Sequence, residues 1–143
     1  MGLLRLAQET PEVSPAASVT EAVNVMTTRG VGALAITNGR KIVGVFTERD
    51  LMRRVVYERR NPDTTTMRDV MSSPVRTVSD SLSVAEAATL MRENQFRHLA
   101  IVDSNGDLLG MVALRHLLYD LMDELERKVD GLHSYIMVDG PGG

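Results

Sequence analysis

The chain has no cysteine and no tryptophan, and only two phenylalanines and three tyrosines among 143 residues. Without cysteine there is no disulfide, no thiol nucleophile and no thiolate-ligated zinc, which suits a reducing cytosol. With so few aromatics, the core has to be built from Leu, Val, Ile, Ala and the nine Met. Positive charge is not in excess: 16 Lys and Arg stand against 19 Asp and Glu, for a net charge of −3. That balance argues against a nucleic-acid binder with a broad basic face, and "RRVVYERR" (53–60) reads as a solvated helix face. No run approaches the roughly 18 apolar residues of a membrane span. The opening "MGLLRLAQETPEV" is too short an apolar run for a signal peptide, and Leu6 stands where a myristoylation pattern expects Ser or Thr. A soluble, cytoplasmic protein is expected, with no membrane and no nucleic-acid partner. His98, His116 and His133 are too scattered for a ligand spacing, so no metal is assigned.

What is present is a globular composition, 43% hydrophobic and 24% charged, and an internal duplication. "VTEAVNVMTTRGVGALAI" (19–36) overlies "VAEAATLMRENQFRHLAI" (84–101) at a shift of 65. Beyond a turn ("NGRK" against "DSNGD") the shift becomes 66, and "IVGVFTERDL" overlies "LLGMVALRHL". Gly44/Gly110, Arg49/Arg115 and Leu51/Leu117 are identical pairs. One residue gained in a Gly-containing loop is where a duplicated unit tolerates change.

Each copy reads as β-α-β-β-α, over roughly 11–58 and 74–136. A short strand ("PEVS", "VRTVS") precedes Ser18 or Ser83, and Ser18-x-x-Glu21 and Ser83-x-x-Glu86 both fit a capping box. Val19, Ala22, Val23 and Met26 recur at helical spacing, as do Val84, Ala87, Ala88 and Met91. "GALAIT" and "KIVGVFT", joined by Asn38-Gly39, predict a hairpin. A second helix starts near Glu48 or Leu114. Between the copies, "ERRNPDTTTMRDVMSSP" is polar and punctuated by Pro62 and Pro74, as a linker would be. A unit of about 60 residues is marginal alone, so the two copies are expected to pack through their sheets into one core.

Within "GVFTERDL" (44–51), Thr47 closes a strand and Asp50 stands one turn into the next helix. Spacing alone makes Thr47 an N-cap, with Glu48 and Asp50 in the first helical turn. It equally places a hydroxyl and a carboxylate at a strand's C-terminal edge, where a helix start favours anions and a carboxylate can grip a diol. The second copy carries Ala113 and His116 at these positions.

This repeat, its Gly-x-x-Thr-x-x-Asp ending and "TMRDVMSSPVRTVSDSLSVAEAATLM" closely resemble a tandem pair of CBS domains, the Bateman module. The resemblance implies an α+β fold of two tandem β-α-β-β-α repeats packed through their sheets, with an extended C-terminal helix. Repeat 1 is then 7–60, the linker 61–73, repeat 2 with the helix 74–136, and a flexible tail 137–143. It also implies a non-catalytic regulatory module that needs no cofactor. The regulatory ligand would be an adenosine-containing one: AMP, ADP, ATP, an NAD(H)-type dinucleotide or S-adenosylmethionine. The partners implied are a second copy and a protein target. By the same resemblance Thr47 and Asp50 are ribose-binding positions and Val45 contacts the base. The linker end from Met71 to Arg76 faces them with backbone hydrogen bonds, and Phe96 offers apolar surface. Arg49, Arg97 and His98 offer positive charge to phosphate, although residues 97 and 98 also read as a solvated strand start. Ala113 and His116 make the second site degenerate.

Leu114, Leu118, Leu121, Leu125, Leu132 and Tyr135 form a stripe at alternating four- and three-residue spacing, interrupted by Lys128. Such a stripe suits a partner helix, and a homodimer is expected. No nucleophile with its base, metal cluster or carboxylate pair points to an enzyme. The competing reading is a ligand-free dimerisation scaffold.

Overall fold

The computed structural model describes residues 2–139, with side chains through Leu132. Two three-stranded sheets repeat one topology. In the first, β1 (Glu12–Val13) runs parallel to β2 (Ala33–Asn38), which runs antiparallel to β3 (Lys41–Thr47). In the second, β4 (Thr77–Ser79), β5 (His98–Val102) and β6 (Leu108–Ala113) do the same. Glu12 pairs with Ala35 and Thr77 with Ala100, so the duplication holds to the register.

Helix α1 (Val19–Arg29) begins on Ser18, whose Oγ accepts the Glu21 amide at 3.0 Å, and ends on Gly30 at φ 65°. Helix α4 (Val84–Asn94) begins on Ser83 with both halves of the expected box: Glu86 N–H to Ser83 Oγ, and Ser83 N–H to Glu86 Oε1. In α1 only the serine half forms, which is a correction to the sequence reading. Helix α2 (Glu48–Asp50) continues as a π-type turn over Leu51–Val56. A short α3 (Met67–Val70) follows, and α5 runs from Leu114 to Asp139. It thus extends through 137–139, the first residues of the expected tail; the remainder, 140–143, lies outside the described residues.

The strands alternate as a period of two requires. Leu34 and Ile36 face α1, while Ala35 between them faces the other sheet. In place of one shared core there are three clusters. The first joins α1, β2 and β3 through Val19, Met26, Leu34, Ile36 and Phe46. The second joins α4, β5 and β6 through Met91, Leu99, Ile101 and Val112. Only a small third cluster, around Ala35, Val45 and Met111, lies between the sheets. The two helix–sheet clusters hold most of the fully buried side chains, so the helix–sheet layers make up most of the core.

Two crossing segments close the molecule. The segment expected as a linker contains α3, and its Met67 and Val70 are fully buried in the first core. The N-terminal turn Leu3–Leu6 packs on the second repeat, with Leu3 fully buried there. Each segment lies over a glycine of the duplicated pair. A Cβ on Gly44 would stand 2.4 Å from Met71 Sδ, and one on Gly110 would stand 3.0 Å from Ala7 Cβ. Glycine suits both places because another segment of the chain packs closely there.

The face of α5 differs from the expected stripe. Leu114 and Leu121 are half-buried, whereas Leu118, Met122, Leu125, Val129 and Leu132 are exposed, at spacings of four and three. Lys128 therefore flanks the apolar line without interrupting it. The Tyr135 side chain, assigned to the stripe, lies outside the described side chains.

Candidate functional site

The turn from β3 into α2 sets the site. Thr47, at φ −119° and ψ 167°, is still extended, so its side chain is free to cap the helix. Its Oγ1 accepts the Asp50 amide at 3.2 Å, while Asp50 Oδ2 accepts the Thr47 amide at 3.0 Å and the Thr47 hydroxyl at 3.1 Å. Thr47 and Asp50 thus form a reciprocal capping box. The capping role that spacing alone suggests is real, and it fixes the carboxylate at the edge of a cleft.

Asp50 is only 7% exposed. Its other oxygen, Oδ1, accepts the Ser72 hydroxyl at 2.9 Å and lies 3.8 Å from Arg54 Nε. Arg54 in turn donates to the Met71 carbonyl at 2.6 Å. Ser72 is tied to the strand edge by two backbone bonds, Val45 N–H to Ser72 O and Ser72 N–H to Val45 O, at 3.0 and 2.8 Å. Strand end, helix start and the crossing segment therefore converge on one buried carboxylate.

The cleft beside it measures about 480 Å³. Of the residues predicted from the sequence, Val45, Thr47, Arg49, Asp50, Arg76, Phe96, Arg97 and His98 line it. Met71 does not: its side chain lies over Gly44, packed on the first core, and only its carbonyl turns toward Arg54. Glu48, Gln95 and Arg115 also line it without having been predicted as binding residues, and Ser72 was expected only through the backbone of the linker end. Arg115 was within reach, since it duplicates Arg49. Gln95 holds the left-handed cap position, φ 58°, that glycine holds in the first repeat.

Four arginines (49, 76, 97 and 115) line the cleft against two carboxylates, Glu48 and Asp50. Among the described residues none of the four makes an ion pair, so the field is open to an anion. His98 titrates below the ordinary histidine value. Burial is the main cause, and Arg115, His116 and Arg97 add repulsion that Asp50 partly opposes. At neutral pH it presents a neutral imidazole.

A second, smaller cleft of about 210 Å³ stands in the equivalent place of repeat 2. Ala113 and His116 line it, and Gln8 of the N-terminal segment, bridged to Met111, occupies the place of Ser72. Ala113 has no hydroxyl to offer. His116 is pushed below the ordinary histidine value by burial and then by Arg115, and its Nδ1 is buried without a hydrogen-bond partner. The two clefts share a wall of Gly32, Ala33, His98 and Arg115.

The family model for the CBS domain matches residues 8–57 and 67–123, which takes in both clefts and most of the chain. The chain belongs to the CBS-domain family. A CBS-domain protein of Burkholderia ambifaria superposes with a TM-score of 0.76 at 29% identity, over 86% of this chain and 95% of that one. A CBS domain protein of Pyrobaculum aerophilum, solved in complex with AMP, gives 0.73 at 28% identity, over 86% and 99%. An uncharacterized protein of Methanopyrus kandleri is 41% identical over 106 residues, 73% of this chain and 54% of that protein. The chain thus spans little more than half the length of that relative. The match makes this a tandem CBS pair. The family match indicates no catalytic family. No helix among the described residues is long and apolar enough to cross a membrane.

Proposed function

We propose that this CBS pair senses an adenosine-containing nucleotide at one competent site, the cleft of Thr47 and Asp50. The observation that carries the reading is the Asp50 carboxylate, 7% exposed and fixed at a cleft whose four arginines make no ion pair among the described residues. A carboxylate is the group that can accept both hydroxyls of a ribose, and the arginines answer phosphate. The AMP complex of the Pyrobaculum protein supports an adenine nucleotide as the ligand class. Val45 and Phe96 supply apolar surface for a base, and Val75 and Arg76 supply backbone at its edge. The second cleft, smaller and without acid or hydroxyl at 113 and 116, does not take a ribose in the same way.

The module works as a homodimer in this reading. Leu125, Val129 and Leu132 are 60%, 63% and 61% exposed, on a helix that runs 16 residues past the family match at 123. Binding regulates a partner only so far as the nucleotide prefers one packing of the repeats or subunits over another.

Calorimetric titration of ligand-stripped protein with AMP, ADP, ATP, NADH and S-adenosylmethionine tests the proposal. One site per chain is expected, with thermal stabilisation by mass action of about 2.7 kcal/mol at a hundredfold excess over Kd. No response to any of the five would leave the dimerisation scaffold as the better reading.

A further inference from the structure

The buried carboxylate has too few free positions for the ligand it is read to bind. A carboxylate offers about four lone-pair sites. Oδ2 of Asp50 receives two hydrogen bonds, from the Thr47 amide and hydroxyl, and Oδ1 receives one, from Ser72 Oγ at 2.9 Å. Arg54 Nε, at 3.8 Å, is too distant for a further bond. One position remains open, whereas a ribose diol donates two bonds.

One of the three donors must therefore leave. The Thr47 amide is fixed by the backbone at the helix start. The Thr47 hydroxyl is held from both sides, because it also accepts the Asp50 amide at 3.2 Å. Ser72 Oγ makes a single bond, to Asp50, so rotation about χ1 breaks one hydrogen bond while the backbone stays anchored on Val45.

We propose that Ser72 is the specificity-determining residue of the site: its hydroxyl occupies a ribose position on Asp50 in the free protein and is displaced by the ligand's diol. The inference rests on the nucleotide reading above. It makes Ser72 a built-in competitor that lowers the advantage of a ribonucleotide over a deoxynucleotide. A 2′-deoxy sugar donates only its 3′-hydroxyl, which the open position accepts without displacing anything.

The test is titration of the full chain and its Ser72→Ala, Ser72→Thr and Ser72→Cys variants with AMP and with 2′-deoxy-AMP. Removing the competitor is expected to tighten AMP about tenfold, the worth of one hydrogen bond to a charged acceptor. The deoxynucleotide is expected to bind unchanged. Ser72→Thr keeps the hydroxyl and the wild-type ratio. Ser72→Cys, a weak donor of similar shape, shifts the ratio in the same direction by less, and stands in if the alanine variant folds poorly. A Ser72→Ala protein whose AMP to deoxy-AMP ratio is unchanged or reduced overturns the role given to Ser72 while leaving the nucleotide site intact. A wild-type chain that binds neither of these nor ADP, ATP, NADH or S-adenosylmethionine removes the nucleotide reading itself.

Discussion

Asp50 is the side chain on which both structure and proposed function converge, so substitutions there must separate the two. Asp50→Ala removes the acceptor of the Thr47 amide and of the Ser72 hydroxyl at a position 7% exposed. Losing a cap costs about 1 kcal/mol, and bonds to a charged acceptor are worth about 1.5–3 kcal/mol each. A net loss of about 3 kcal/mol corresponds to a Tm lower by roughly 10 °C for a chain of this size. Asp50→Asn is the sharper perturbation. Its carbonyl still accepts from Thr47, and its amide can donate to Ser72 Oγ, so the Tm is expected to fall by only about 3 °C. A ribose diol, however, meets a donating amide where the Oδ1 acceptor had been, and no charge, so at least one charge-assisted bond is lost. Losing one charge-assisted bond weakens AMP by about 10- to 150-fold. Scanning calorimetry and isothermal titration with AMP on the same preparations supply both numbers. An Asp50→Asn protein with near wild-type Tm that binds AMP within about threefold of wild type would refute the argument that this carboxylate holds the ligand.

Gly44→Ala drives a Cβ into Met71 Sδ at 2.4 Å and the Ser72 carbonyl at 3.1 Å. A destabilisation of about 1–3 kcal/mol is expected, with weaker AMP binding, and Met71→Ala added to it should recover part of the stability. Gly110→Ala strains the other crossing segment instead, so Tm should fall while AMP affinity holds; equal affinity losses in both would contradict the assignment of the competent cleft. His98 and His116 both sit below their ordinary value because burial disfavours the imidazolium. The unfolded chain therefore binds protons first, and stability is full above about pH 6.5 and falls as pH drops through the folded-state values. His98→Gln should flatten the decline in Tm between about pH 7 and pH 5 relative to wild type; coincident profiles would remove His98 as a source. Leu125→Asp with Val129→Asp puts charge on the exposed α5 face and should convert a dimer to a monomer by light scattering, with AMP affinity kept. A wild-type chain that is already monomeric sinks that interface.

The sequence was sufficient for the duplicated helix starts, the hairpin and the two sheets. Ser18 and Ser83 announced the helix starts, Asn38-Gly39 the hairpin, and the shifts of 65 and 66 the two equivalent sheets. Local rules govern these features, since caps, turns and alternating faces are set by neighbours a few residues apart. Eight of the nine binding residues that the family resemblance implied line one cleft. The Met71 side chain packs over Gly44 on the first core instead, since a single chain read in order cannot show which side of a crossing segment is turned inward.

Tertiary structure alone decided the rest. A polar stretch read as a linker carries Met67 and Val70 into the first core, and the N-terminal turn carries Leu3 into the second. Ser72 meets Asp50 across 22 residues, and Arg115 joins Arg49 around one cleft. Nothing in local periodicity encodes those meetings. They follow from burial, which makes each incomplete repeat recruit a distant piece of chain to cover its sheet, and the contacts that decide the site come with that piece.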